Sequence, residues 1–404
     1  MNTPHSAWRQ ITIAPHRSLF LAGVVQSVAT LLWWIFHLDG RQAVAGAAPV
    51  WAHAFLMIYT FFPFFIFGFL FTTYPNWMNT EKIAPPRALL AASLMTVGAI
   101  LFYLGLATGK PVAATGVAAI LAGWAVALYI LLNVLFNARH PDKRHPIVTS
   151  IALAFGWLGA ASYLLWQITG EPIWLNFART AGIWFFLLPV FLTVSHRMIP
   201  FFSSRVLKDY VVVRPYWMLG VMLTCSAGHG ILQLWDARAW SWLVDLPLTA
   251  CALYLSVKWG LPRSLRTGLL AVLHIAFAWL ALAMLLFSAQ SLIFFISRGK
   301  WIFSLAPLHA LTIGFFSSMA LGMVTRVTLG HSGRQLVLDR LSGFLFFGIQ
   351  TAAIVRVLAD IVPYSAWTMH LYLLSGLIWL AGFTPWAIRY APNYWRARAD
   401  GQPG

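Results

Sequence analysis

Acidic side chains are almost missing from this chain. Asp and Glu together number ten in 404 residues, against 27 Lys and Arg. A hard cation such as calcium or magnesium needs several oxygen ligands from neighbouring acids, and no spaced set of carboxylates supplies them. Charge of either sign is scarce too. Only 9% of residues are charged and 60% are apolar, whereas soluble domains run near ~25% and ~45–50%. A large soluble domain is therefore excluded. Cysteine is down to two, Cys225 and Cys251, both inside apolar runs. They imply no disulfide framework and read as small apolar fillers, with a copper thiolate as the sharper alternative. Low-complexity linkers and a recognisable domain boundary are absent as well.

What remains is a succession of apolar runs, each about 20 residues long, the length that crosses a bilayer. Charges, Pro and Gly bound twelve of them, at about 18–38, 52–74, 87–107, 111–136, 147–168, 177–200, 215–235, 240–258, 267–296, 303–325, 340–361 and 366–388. The run from Ser18 to His37 is longer than the apolar core of a signal peptide, so it reads as a first spanning helix. The expected fold is all-α: a polytopic membrane helical bundle forming one domain over 1–404, with short tails at 1–17 and 389–404. The two six-helix halves show no convincing repeat.

Basic residues cluster on alternate loops. With the N-terminus inside, the inner segments carry a net +15 and the outer segments a net +2. The positive-inside rule then puts both termini in the cytoplasm. It also accounts for nearly all of the formal +17 charge, so no nucleic-acid partner is needed.

Histidine is the unusual feature. Eight of the twelve lie in or beside spans: His37, His53, His196, His229, His274, His309, His331 and His370. The topology sorts them into two layers. His37, His53, His229, His309 and His370 fall near the outer face, and His196, His274 and His331 near the inner one. An imidazole inside an apolar helix is costly without a partner, and imidazole is a ligand for iron and copper. Asp245 is the only acid read as lying well inside a span. It is either a hydrogen-bonded acid near the interface or a proton-transfer group, with Arg356 or a histidine as partner. Trp33, Trp34, Trp51, Trp77, Trp240, Trp242, Trp301 and Trp395 read as interface anchors. The phenylalanine-rich stretch 61–71 reads as lipid-facing or helix-packing surface, with the lining of a porphyrin pocket as the sharper alternative. Arg197, Arg326 and Arg334 stand beside imidazoles at inner span ends, where guanidinium groups suit carboxylates.

Four blocks carry a family resemblance. LHALTIG at 308–314 followed by GMVTRVTLGHSGR at 322–334 closely resembles the signature of the NnrS family. RMIPFFS at 197–203, HAFLMIYTFFPFFIFGFLFTTYPNW at 53–77 and LHIAFAWLAL at 273–282 are similar to three further blocks. The early helix of the family shows His-x-His, and this chain has Phe55 at the second position.

The resemblance implies a bacterial inner-membrane protein holding haem of the b type and copper. It implies a role in nitric oxide metabolism and protection from nitrosative stress, beside denitrification. Residue by residue, it maps metal ligands onto His53, His196, His274, His309 and His331, and anion-holding arginines onto Arg326 and Arg334. On this reading His53 and His309 serve an outer haem or metal. His196, His274 and His331 serve an inner site, and Arg326 and Arg334 hold haem propionates or an anion. The expected partners are nitric oxide or a related small ligand, membrane lipid, and quinol or another electron donor. The competing readings are a quinol-linked membrane oxidoreductase and a transporter of copper, haem or a small solute.

Overall fold

In the computed structural model, residues 6–38, 48–300 and 302–402 are described. Among them the secondary structure is helical, with no strand. Asp39, Arg41 and Trp301 lie outside the described residues.

Among the described residues, twelve helices are long and apolar enough to cross a membrane: α1 Pro15–Phe36, α2 Pro49–Met78, α3 Pro85–Thr108, α4 Lys110–Asn137, α5 Arg144–Thr169, α6 Pro172–Val206, α7 Tyr216–Leu234, α8 Arg238–Lys258, α9 Gly268–Ser297, α10 Ala306–His331, α11 Arg340–Ile361 and α12 Thr368–Trp395. Each coincides with an expected span.

Local chemistry sets the ends. Proline occupies the first or second position of α1, α2, α3, α4 and α6, where its missing N–H costs nothing. Left-handed residues close α2 at Asn79, α5 at Gly170 and α9 at Arg298. Inside the helices, hydroxyls fold back on the carbonyl four residues earlier, as Thr72 does on Gly68 and Thr149 on His145. This satisfies them without leaving the helix.

Two boundaries differ from expectation and matter later. Helix α1 starts at Pro15, so His16 and Arg17 belong to it and not to a tail. Helix α10 runs on to His331, so Arg326 lies within it rather than at its exit.

Every fourth helix is special. Over an 18-residue apolar stretch of each helix, the share of buried residues is 89% in α2, 83% in α6 and 78% in α10, against 33–67% in the others. The π-helical stretches found among the described residues fall in these same three helices, at Leu56–Phe61, Ala181–Leu187 and Ala310–Ser317. The recurrence has a period of four helices, not six. It also explains the phenylalanine run. Phe61, Phe62, Phe64, Phe65, Phe67, Phe69 and Phe71 are all buried, so this surface packs against protein and does not face lipid. Trp77 is likewise buried beside Tyr74 and is not an interface anchor.

The chain divides into two compact units. The first comprises residues 1–187, 327–335 and 387–404. Its core is aromatic and its polar tips are hydrogen-bonded: Tyr59 donates to the Ala178 carbonyl at 2.5 Å, Tyr74 to Pro146 at 2.8 Å and the Trp124 indole to Leu153 at 3.1 Å. Helices α3 and α4 meet through small residues. A Cβ on Gly98 would lie 2.7 Å from the Gly116 carbonyl oxygen, an approach that only small side chains permit in a membrane.

The second unit comprises residues 188–326 and 336–386. Phe191, Phe277, Phe315 and Phe316 form its aromatic centre. The Trp279 indole donates to Gln350, whose amide donates in turn to Ser318.

Candidate functional site

In the second unit, α10, α11 and α12 bring four side chains together. His309 opens α10, just before its π-helical stretch, and its Nδ1 lies 3.0 Å from Asp360 Oδ2 near the end of α11. Asp360 Oδ1 is reached by Arg356 at 2.7 Å, one turn earlier on α11, and by the Tyr372 hydroxyl at 2.7 Å from α12. The guanidinium of Arg356 also sits 3.7 Å over the Tyr372 ring. The carboxylate is fully buried, and 16% of the His309 side chain is exposed.

One correction follows. Asp360, counted with the outer segments in the charge balance, is a buried helical acid. Arg356 pairs with it and not with Asp245. The geometry has a chemical meaning. A carboxylate can only accept here, so Nδ1 carries the proton and Nε2 keeps its lone pair. Histidines that ligate metals are oriented in this way.

A second histidine–carboxylate pair joins α7 to α8. His229 Nδ1 lies 2.7 Å from Asp245 Oδ1, with both groups buried. Of the two partners considered for Asp245, the histidine is the one present. Its other oxygen, Oδ2, is buried without a hydrogen bond. Cys225 and Cys251, on the same two helices, are free thiols. Both pairs sit at the helix ends joined by the connections after α7, α9 and α11, the side expected to be outer.

The opposite helix ends of this unit hold His196, His274 and Arg326. His196 donates from Nε2 to the Pro215 carbonyl at 3.2 Å, and His274 Nε2 meets Ser203 Oγ at 3.0 Å. Arg326 lies 4.0 Å over the Phe202 ring.

In the first unit, His53 stacks on Trp34 at 4.2 Å between ring centroids, and Arg179 lies 4.8 Å over Trp51, two residues before His53. Arg334 donates from Nε to Asn393 Oδ1 at 2.9 Å and is exposed. His37 stacks on Trp33, and His370 is exposed near Trp367. His331 lies 4.8 Å from His16 between ring centroids, a residue absent from the expected set.

Among the described residues, no group of three or more His, Cys, Asp or Glu side chains is arranged to hold a metal ion. The expected ligands thus occur singly or in pairs. Single imidazoles are what a haem iron takes from a protein, since the porphyrin supplies the other nitrogens.

Compared with known families, the chain matches NnrS, described as NnrS protein, over residues 10–398. It belongs to the NnrS family. Membership makes it a multi-pass membrane protein of the nitric oxide response. No curated protein matches it. The family match covers nearly all of both units and every residue named above.

Proposed function

We propose that this NnrS protein is a haem–copper protein of the bacterial inner membrane that binds or converts nitric oxide or its metal adducts at histidine-ligated sites. One observation carries the proposal: the buried Asp360 holding Nδ1 of His309. It leaves Nε2 as a neutral, directed donor, the form an iron or copper centre requires. The residues present therefore fit the group.

Each neighbour has a separate part. Asp360 fixes the tautomer and the ring plane. Arg356 neutralises Asp360, so the imidazole need not be charged to satisfy the carboxylate. Tyr372 completes the oxygen's hydrogen bonds. A bound metal centre would supply an open coordination position for nitric oxide and a route for electrons from a donor such as quinol. His53, its ring plane fixed by Trp34, is the outer-side ligand of the first unit on this reading. His196 and His274 are inner ligands once their present hydrogen bonds are exchanged. Arg326 and Arg334 are the groups for propionates or another anion.

The test is spectroscopic. The purified protein should carry a Soret band and bound copper. His309→Ala should lose or shift the haem signal in optical and EPR spectra, and His53→Ala and His274→Ala report the other two ligand roles. A folded protein free of both haem and copper would overturn the proposal.

A further inference from the structure

The second unit carries a basic face that the histidine sites do not use. Two connections build it, 207–215 between α6 and α7 and 259–267 between α8 and α9. Arg205, Lys208 and Arg214 lie on or beside the first, and Lys258, Arg263 and Arg266 on or beside the second. Asp209 is the one acid in either connection. Among the described residues no carboxylate pairs with any of the six cations. The two connections are about 50 residues apart in the chain, yet they form one surface. Arg263 donates from Nη2 to the Lys208 carbonyl, and the Trp259 indole donates to the Val213 carbonyl at 2.8 Å. Gly260 has φ +90°, and a Cβ there would lie 3.3 Å from Leu207 Cδ1. The positive-inside rule asks only that each connection be basic. It does not ask that two of them be tied together with their cations unneutralised.

We infer that this face binds the phosphate headgroup of an anionic phospholipid. The charge is complementary, and the guanidinium fork suits phosphate oxygens. The depth fits as well. The Arg205 guanidinium lies 5.3 Å over the Phe201 ring and the Lys258 ammonium 5.7 Å over the Tyr254 ring. Each ring stands one helical turn before its cation, and both rings are exposed. An exposed aromatic near the end of a spanning helix belongs at the membrane interface. A cation one turn further on then reaches headgroup level.

The apolar residues of the same connections favour a lipid over a soluble anion. Val211, Val212 and Leu265 are exposed beside the cations. Acyl chains and glycerol would cover that surface, and free phosphate would leave it in water. Basic pockets between spanning helices on the cytoplasmic side recognise lipid headgroups in this way.

The experiment uses the full chain in detergent, titrated with phosphatidylglycerol or with phosphatidylcholine and read by native mass spectrometry. Wild type should hold phosphatidylglycerol more tightly than phosphatidylcholine. Each cation near an anionic headgroup is worth about fivefold in binding, so Lys208→Gln with Arg266→Gln should weaken phosphatidylglycerol binding about 25-fold and leave phosphatidylcholine binding unchanged. Both side chains are exposed, and among the described residues neither makes a hydrogen bond. Arg139→Gln with Arg144→Gln, on the basic connection between α4 and α5, is the control and should change neither lipid. Inorganic phosphate in excess should leave the lipid bound. Equal binding of the two lipids by wild type would overturn the inference. So would an unchanged affinity in the first variant, an equal loss in the control, or displacement of the lipid by phosphate, which would assign the face to soluble anions. Should the first variant fail to fold, a photoactivatable phosphatidylglycerol on wild type decides. Crosslinks within 201–214 and 254–266 support the site, and crosslinks confined to other segments refute it.

Discussion

His309 has two ring nitrogens that are not equivalent, and Asp360 makes them so. Asp360→Asn keeps the shape but removes the charge and can present its amide in place of an acceptor. The expected result is about 10–100-fold weaker binding of the haem or metal held by His309, read by titration of the cofactor-free protein, with a changed ligand-field spectrum. Tyr372→Phe, which removes one hydrogen bond and leaves the Arg356 pair, should have a smaller effect. His309 was legible in the sequence because an imidazole in an apolar run stands out. Asp360 was not, because its role depends on a contact 51 residues away and its place at a span end looked like a loop. His16 was hidden by a boundary. Starting the first span at Ser18 left it in the tail, although Pro15 is the residue that favours a helix's first turn. The histidine partner of Asp245 was half visible: its need for a partner follows from burial, but the choice between Arg356 and His229 required the packing of α7 on α8.

At the scale of helices, twelve runs read from hydropathy became twelve helices, because bilayer length and backbone satisfaction leave little else. Their ranking was not legible. Apolar content is similar whether a helix faces lipid or protein, so α2, α6 and α10 did not announce themselves as the buried ones. Small residues give a sharper handle. A Cβ on Gly116 would lie 2.5 Å from the Phe102 backbone nitrogen and 2.7 Å from the Gly98 carbonyl oxygen. These are backbone atoms that cannot swing away, so Gly116→Leu should destabilise by about 1–3 kcal/mol or more, seen as a lower thermal midpoint in detergent. Gly220 on α7 has nothing within 4 Å. Gly220→Ala should be neutral or stabilise by about 0.5–1 kcal/mol through helix propensity. The turn after α10 is a third case. Gly333 has φ +68° and its Cβ would lie 2.6 Å from Asp400 Oδ1, so Gly333→Ala should cost about 1 kcal/mol or more from backbone conformation alone and release the tail.

For the whole molecule, tail and orientation are linked. Arg398 donates to both oxygens of Asp400 at 2.9 and 2.6 Å, and this holds the Asp400 carboxyl down to about 2. A depressed carboxyl stabilises above its unfolded value, about 3.9, and loses that contribution as pH falls through about 2. The clasp should therefore persist through mild acid, and Asp400→Asn should open it at neutral pH, read as faster tryptic cleavage after Arg396 and Arg398. Such cleavage also reports on sidedness. The positive-inside rule assigns the tail and the loops after α2, α4, α6, α8 and α10 to the cytoplasm. In inside-out vesicles trypsin should reach Arg396 and Arg398, and in right-side-out vesicles it should not. A cysteine placed at exposed Glu171, between α5 and α6, should label with an impermeant maleimide in the opposite vesicle population. The two buried native thiols, Cys225 and Cys251, should stay silent in both. Reversal of the pattern would put the His309–Asp360 pair on the inner side of the membrane instead of the outer one.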